Sequence, residues 1–151
     1  NILDRNYINN DLVELVDVAP TILELCNLEI PENMQGISMK TKLVSSQKND
    51  FRKTSVISEY YDAAAMKAGS RGSMYFDGKY KLNIYHNHNL FELYDLENDP
   101  SEMKNIFDDS KYSEIKNTLL LQLSDLITKY GDSDSLNQMH IKRCIKQKIQ
   151  Q

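Results

Sequence analysis

The sequence predicts an α+β fold: a four-stranded antiparallel sheet packed by a C-terminal helix, with another helix ahead of the sheet. Three observations point there. Between Ser73 and His86, two runs of aromatic and branched side chains flank Asp77-Gly78, a pair favoured at the two positive-φ positions of a type I′ hairpin turn. From Ser110, the residues Tyr112, Ile115, Leu119, Leu123, Leu126, Ile127 and Tyr130 form one helical stripe, with Gly131 as its stop. Leu12, Leu15, Val16, Ala19, Ile22, Leu23 and Cys26 repeat at the same period near the N-terminus.

In chain order, residues 1–10 are polar and read as a loop or as a boundary within a larger protein. Pro20 forbids one continuous helix through Leu12–Cys26, because its ring meets the carbonyl four residues back and it has no N–H. Asp17 is therefore the expected N-cap, with Pro20 in the first turn and Leu12–Val16 as an extended or short helical approach. Asn27 can take the left-handed conformation that closes a helix, and Pro31 prevents a restart. Residues 30–53 read as a loop region with a short helix near Lys40–Val44. Ser55–Tyr61 has strand composition, whereas Asp62–Gly72, rich in alanine and glycine, is expected to be a loop with one helical turn. Ser73–Phe76 and Lys79–His86 make the hairpin, and Tyr80, Leu82 and Ile84 alternate onto the core face. Phe91–Asp95 is the fourth strand. Asp99-Pro100-Ser101-Glu102 then has the order of a capped helical turn: an acceptor, a proline at the first position, and a carboxylate able to reach back.

A chain of 151 residues is long enough for a proper core without disulfides. Cys26 and Cys144 lie far apart and outside any Cys-x-x-Cys spacing, which reads as two free thiols. No apolar run reaches bilayer length, so no membrane span is expected. Net charge is −4, but all 22 acidic residues and 14 of the 18 basic ones precede Leu136, leaving a body at −8 and a tail at +4. An acidic body argues against nucleic acid as a partner. The basic tail, with Ile141, Ile145 and Ile149 every four residues, reads as a terminal helix laid on its own domain or as a surface for a membrane or a partner helix.

Catalytic chemistry is hard to assemble from these residues. No Gly-x-Ser-x-Gly elbow is present. His86-x-His88 has a spacing that can bind metal, yet alternate residues on an extended chain more often divide into one packed and one solvated side chain. Asp95, Glu97 and Asp99 imitate the start of a calcium loop, but Pro100 stands at its sixth position and Ile106 at its twelfth, where glycine and glutamate are required. Turn and cap chemistry explains them instead.

Three blocks, taken in order, resemble the arylsulfatase-type sulfatases of the alkaline-phosphatase superfamily. The first is Leu15-Val16-Asp17-Val18-Ala19-Pro20-Thr21-Ile22-Leu23-Glu24-Leu25, followed by Ile30-Pro31 and Met34-Gln35-Gly36-Ile37-Ser38-Met39. It is similar to a family segment in which Asp-x-x-Pro-Thr opens a helix and a Gln-Gly-x-Ser element follows. The second is Ser58-Glu59-Tyr60. The third joins Gly78-Lys79-Tyr80-Lys81-Leu82 to Glu92–Asn105, with its Leu-Tyr-Asp-Leu-Glu-Asn-Asp-Pro core. The likeness runs from Asp11 to Tyr130, with Asn27 where the family usually has glycine.

The resemblance implies a parent enzyme that hydrolyses sulfate esters through a formylglycine nucleophile, made from cysteine or serine, beside a calcium ion. The signature for that modification is Cys or Ser, any residue, Pro, any residue, Arg. Neither Cys26 nor Cys144 fits it, so the chain is expected to carry no catalytic or metal-binding residue and no cofactor of its own. Residues 1–50 would be the last helix and connecting loop of the large α/β domain, 51–135 the C-terminal subdomain, and 136–151 a basic tail. The implied partners are the N-terminal catalytic domain of the same protein and a sulfated small molecule or glycan. On this reading the loops Tyr60–Gly72 and His86–Asn89 border the substrate cleft, and Arg71, His86 and His88 are the hydrogen-bonding candidates. The rival reading is a free-standing interaction module without enzymatic activity, using the N-terminal helix stripe and the basic tail as contact surfaces.

Overall fold

The computed structural model describes residues 8–44, 53–61, 71–86 and 88–130, together with 142, 143, 145, 146, 148 and 149. The expected loops at 45–50 and 62–70, and the stop at Gly131, lie outside these residues. Contacts divide the chain into two compact units, residues 1–56 and 57–151.

In the first unit, a 3-10 turn over Leu15–Asp17 runs directly into helix α1, Val18–Leu25, and a short helix α2 follows at Lys40–Val44. Asp17 does precede α1, but its backbone is already helical and its side chain serves a different purpose. The carboxylate accepts the Glu14 N–H at 2.9 Å and the Ile37 N–H at 2.8 Å, and Lys53 Nζ sits 2.7 Å away. Thr21 donates to the Asp17 carbonyl at 2.5 Å and accepts the Met39 N–H at 2.9 Å. These bonds knit residues 37–39 to the start of α1. The approach is so close that a Cβ on Gly36 would lie 1.9 Å from the Val16 carbonyl oxygen, so only glycine fits. Asn27, at φ 56°, closes the helix as the sequence predicts.

Asp17 is 1% exposed. Burial alone would raise its carboxyl pKa, but the bonds from Ile37, Lys53 and Glu14 outweigh burial and hold it below the ordinary value of 3.8. For Lys53 burial works downward, and its bonds to Asp17 and Glu14 hold it above 10.5 instead.

The second unit is built on one sheet in the order β1-β2-β3-β4. Its strands are β1 Val56–Tyr61, β2 Arg71–Phe76, β3 Tyr80–Tyr85 and β4 Leu90–Asp95. The β2–β3 and β3–β4 pairs are antiparallel, so Leu82 faces Tyr75 on one side and Leu93 on the other. Period-two alternation then puts Tyr75, Leu82, Ile84, Phe91 and Leu93 on one face. That face is closed by helix α3, Ser113–Tyr130, through Leu119, Leu120, Leu123 and Ile127. Tyr75 Oη adds a 2.8 Å hydrogen bond to Gln122. Ile145 of the tail is buried in the same cluster and Ile149 packs against it.

Four local expectations change. The hairpin turn has only Gly78 at positive φ, 95°, because the Asp77 carboxylate turns back to accept the Lys79 and Tyr80 N–H groups at 2.9 and 2.7 Å. A type I′ turn needs positive φ at both central residues, and Asp77 does not supply it. Arg71 and Gly72 belong to β2 rather than to the preceding loop, because they pair with the end of β3. Leu120 joins the buried side of α3, widening the stripe read from spacing alone.

At Asp99, where the sequence predicts a capped helical turn, the chain makes a single turn instead. Glu102 donates its N–H to the Asp99 carbonyl and takes φ 55°, which ends any helix. The Glu102 carboxylate does not reach back, since Lys81 Nζ holds both its oxygens at 2.9 and 2.8 Å. Beyond it, Asn105 acts as a strand mimic on the outer edge of β4. Its Oδ1 accepts the Leu93 N–H at 3.0 Å, its Nδ2 donates to the Phe91 carbonyl at 3.1 Å, and Ile106 N–H completes the edge on the Leu93 carbonyl.

Truncating Leu82 to alanine empties a site with no solvent access on the central strand. Chemical denaturation should show a loss of about 2–5 kcal/mol, with an unchanged m-value. In the first unit, folding depresses the Asp17 carboxyl, so its contribution is fully present above 3.8 and is lost as pH falls through the folded value. Folding raises Lys53, so its contribution holds below 10.5 and is lost as pH rises through the folded value. Asp17→Asn should cost about 2–4 kcal/mol at neutral pH and flatten the acid limb. Amide exchange at Ile37 and Met39 as a function of pH reads both effects.

Candidate functional site

The three residues singled out in the sequence meet at one end of the sheet, but they do not have equal access to solvent. Arg71 opens β2 and is half-buried. Its carbonyl accepts the His86 N–H at 2.9 Å, which makes the two residues cross-strand neighbours. His86 follows β3 on the core-facing side and is 5% exposed. His88 lies in the turn before β4 and is exposed, its N–H bonded to the Tyr85 carbonyl at 3.1 Å. Asn89, at φ 48°, lets the chain return toward β4. Of the pair His86-x-His88, one imidazole is thus packed and the other solvated.

Two residues the sequence reading passed over belong with His86. Ser73, 3% exposed on the core face of β2, places Oγ 2.8 Å from His86 Nε2. Glu59 of β1 has Oε1 3.5 Å from the same hydroxyl. The available signal was the alternation in β2: a serine at a core position, two residues from Tyr75, needs a polar partner.

Other polar groups have structural roles. Asp95 accepts the Glu97 and Asn98 N–H groups and the Asn98 Nδ2. Burial works to raise its carboxyl pKa, but the Asn98 bonds and the charge of Lys79 hold it below the ordinary value. Glu97 pairs with Lys79, and Asp99 accepts the Lys104 N–H. With its carboxylates committed in this way, the acidic run does not fit a calcium site. Among the described residues, no three His, Cys, Asp or Glu side chains group closely enough to hold a metal ion. Cys26 is free and exposed. On the opposite face of the sheet, burial followed by the nearby Glu92 carboxylate raises the phenols of Tyr85 and Tyr94. A cavity of about 240 Å³ in the first unit is lined by Leu12, Val13, Ile37, Met39, Lys42 and Lys53. Its two lysines are paired with Asp11 and with Asp17 and Glu14, so it presents no unpaired cation.

Residues 1–129 match the family model described as N-sulphoglucosamine sulphohydrolase, C-terminal. The chain is 33% identical over 122 residues to an N-acetylglucosamine-6-O-sulfatase of Bacteroides thetaiotaomicron, covering 79% of this chain and 22% of that protein. A Δ4,5-hexuronate-2-O-sulfatase of the same organism is 32% identical over 117 residues, covering 78% and 24%. The chain therefore spans about a quarter of the length of these relatives. A protein solved in complex with its substrate D-glucosamine-2-N,6-O-disulfate superposes with a TM-score of 0.67 at 29% identity, over 78% of this chain and 24% of that one. With a four-stranded sheet, a packing helix and a family match over most of its length, this chain belongs to the sulfatases, as a C-terminal part of that family.

Proposed function

We propose that the chain shapes one side of the substrate cleft of a sulfuric ester hydrolase whose reactive groups lie in the N-terminal catalytic domain of the same protein. In that domain the formylglycine would supply the nucleophile and calcium would neutralise the sulfate. The observation that carries this reading is the family match over residues 1–129, to relatives that are more than three times as long and named as sulfatases. Those two relatives, named for sulfate on an amino sugar and on a hexuronate, favour a sulfated glycan over a small aryl ester as the substrate.

Physical support comes from the surface of the first unit. Leu15 is 89% exposed, and Val18 and Ile22 on α1 are exposed as well. An amphipathic helix that leaves its apolar residues in water is suited to being covered by another surface. The N-terminal catalytic domain is the partner we assign to it. The free-standing interaction module draws on the same exposed residues, and turnover separates the two readings.

The purified chain should not hydrolyse a sulfate ester, whereas the complete enzyme should. In the complete enzyme, replacing Arg71, His86 and His88 together by alanine should raise KM by about tenfold or more, since each lost charged or polar contact is worth about 1 kcal/mol or more. Unchanged steady-state constants would remove this end of the sheet from the cleft.

A further inference from the structure

We propose that Glu59, Ser73 and His86 form a positioning relay, so that Arg71 and His88 touch the substrate while His86 acts through them. The proposal rests on the cleft reading above and divides its three candidate residues into two kinds.

Proton bookkeeping across the relay is constrained. A carboxylate only accepts, and a serine hydroxyl has one proton and two lone pairs. If Ser73 Oγ–H points to Glu59 Oε1, at 3.5 Å, then Ser73 Oγ must accept from His86 Nε2–H, at 2.8 Å. The negative charge of Glu59 favours that direction. The ring is thereby held with a proton on Nε2.

Three strands contribute to this chain of contacts: β1 through Glu59, β2 through Ser73, and the end of β3 through His86. The backbone of His86 is bonded in turn to Arg71, whose carbonyl accepts its N–H at 2.9 Å. Two residues later His88 emerges into solvent. Fixing these strand ends therefore fixes where Arg71 and His88 start from. At 5% exposure, His86 itself offers little surface to a ligand.

The test uses the complete enzyme and the 151-residue chain. In the enzyme, the Arg71→Ala/His88→Ala double variant should raise KM. Ser73→Ala and His86→Leu should each raise KM by about three- to tenfold with little change in kcat, the signature of lost ground-state and transition-state binding together. His86→Gln, whose amide can place an N–H near the Nε2 position, should recover part of the His86→Leu loss. In the chain, long-range ¹⁵N–¹H correlation should find a proton on His86 Nε2, and its signal should shift in Ser73→Ala. If the double variant raises KM while Ser73→Ala leaves it unchanged, the relay is wrong and the cleft reading stands. If the double variant has no effect, both fall. A wild-type ring protonated only on Nδ1 overturns the relay whatever the kinetics show.

Discussion

Leu82 and Ile84 lose nearly all contact with water because β3 has a strand on each side and α3 across one face. The remaining geometry of the larger unit follows from that burial. A one-residue slip of β3 would turn Lys81, Asn83 and Tyr85 into the core, so the register of both neighbouring strands is strongly specified. The strand ends are then fixed too, which is why Arg71, His86 and His88 gather at one edge. The arrangement of the candidate site is a consequence of core packing.

A second regularity concerns polar side chains that serve backbone. Asp17, Asp77, Asp95, Asp99 and Asn105 each accept one or more main-chain N–H groups outside regular secondary structure. Buried or half-buried peptide groups need partners, and short side chains with oxygen acceptors provide them where the chain bends. Several of these residues lie in the segments that resemble sulfatases. Asp17, Thr21 and Gly36 clip residues 36–39 to the start of α1, and Asn105 completes the edge of β4. The resemblance in this chain is thus carried largely by residues that make the fold.

Much of this is legible in the periodicity of the sequence. The α1 start near Asp17, the Asn27 stop, the short helix at Lys40–Val44, the core set on β3 and the long helix were all readable from spacing and capping residues. What escaped was decided by contacts distant in sequence. Glu102 looks like a capping residue locally, but Lys81, 21 residues away, takes its carboxylate. Asp77 looks like a turn centre, but its side chain competes for the N–H groups that follow it. His86 and His88 were paired by spacing, and only the packing distinguishes the buried imidazole from the solvated one. Ser73 belongs to no motif and Glu59 only to the short Ser58-Glu59-Tyr60 block, and their link to His86 depends on strand order, which local pattern does not encode.

The central question is whether this chain brings its own core while leaving its α1 surface to be covered by the rest of a sulfatase. Hydroxyl-radical footprinting of Leu15, Val18 and Ile22 addresses that directly, in the isolated chain and in the complete enzyme. Strong labelling in the chain and protection in the enzyme is the predicted result. Equal labelling in both would contradict it.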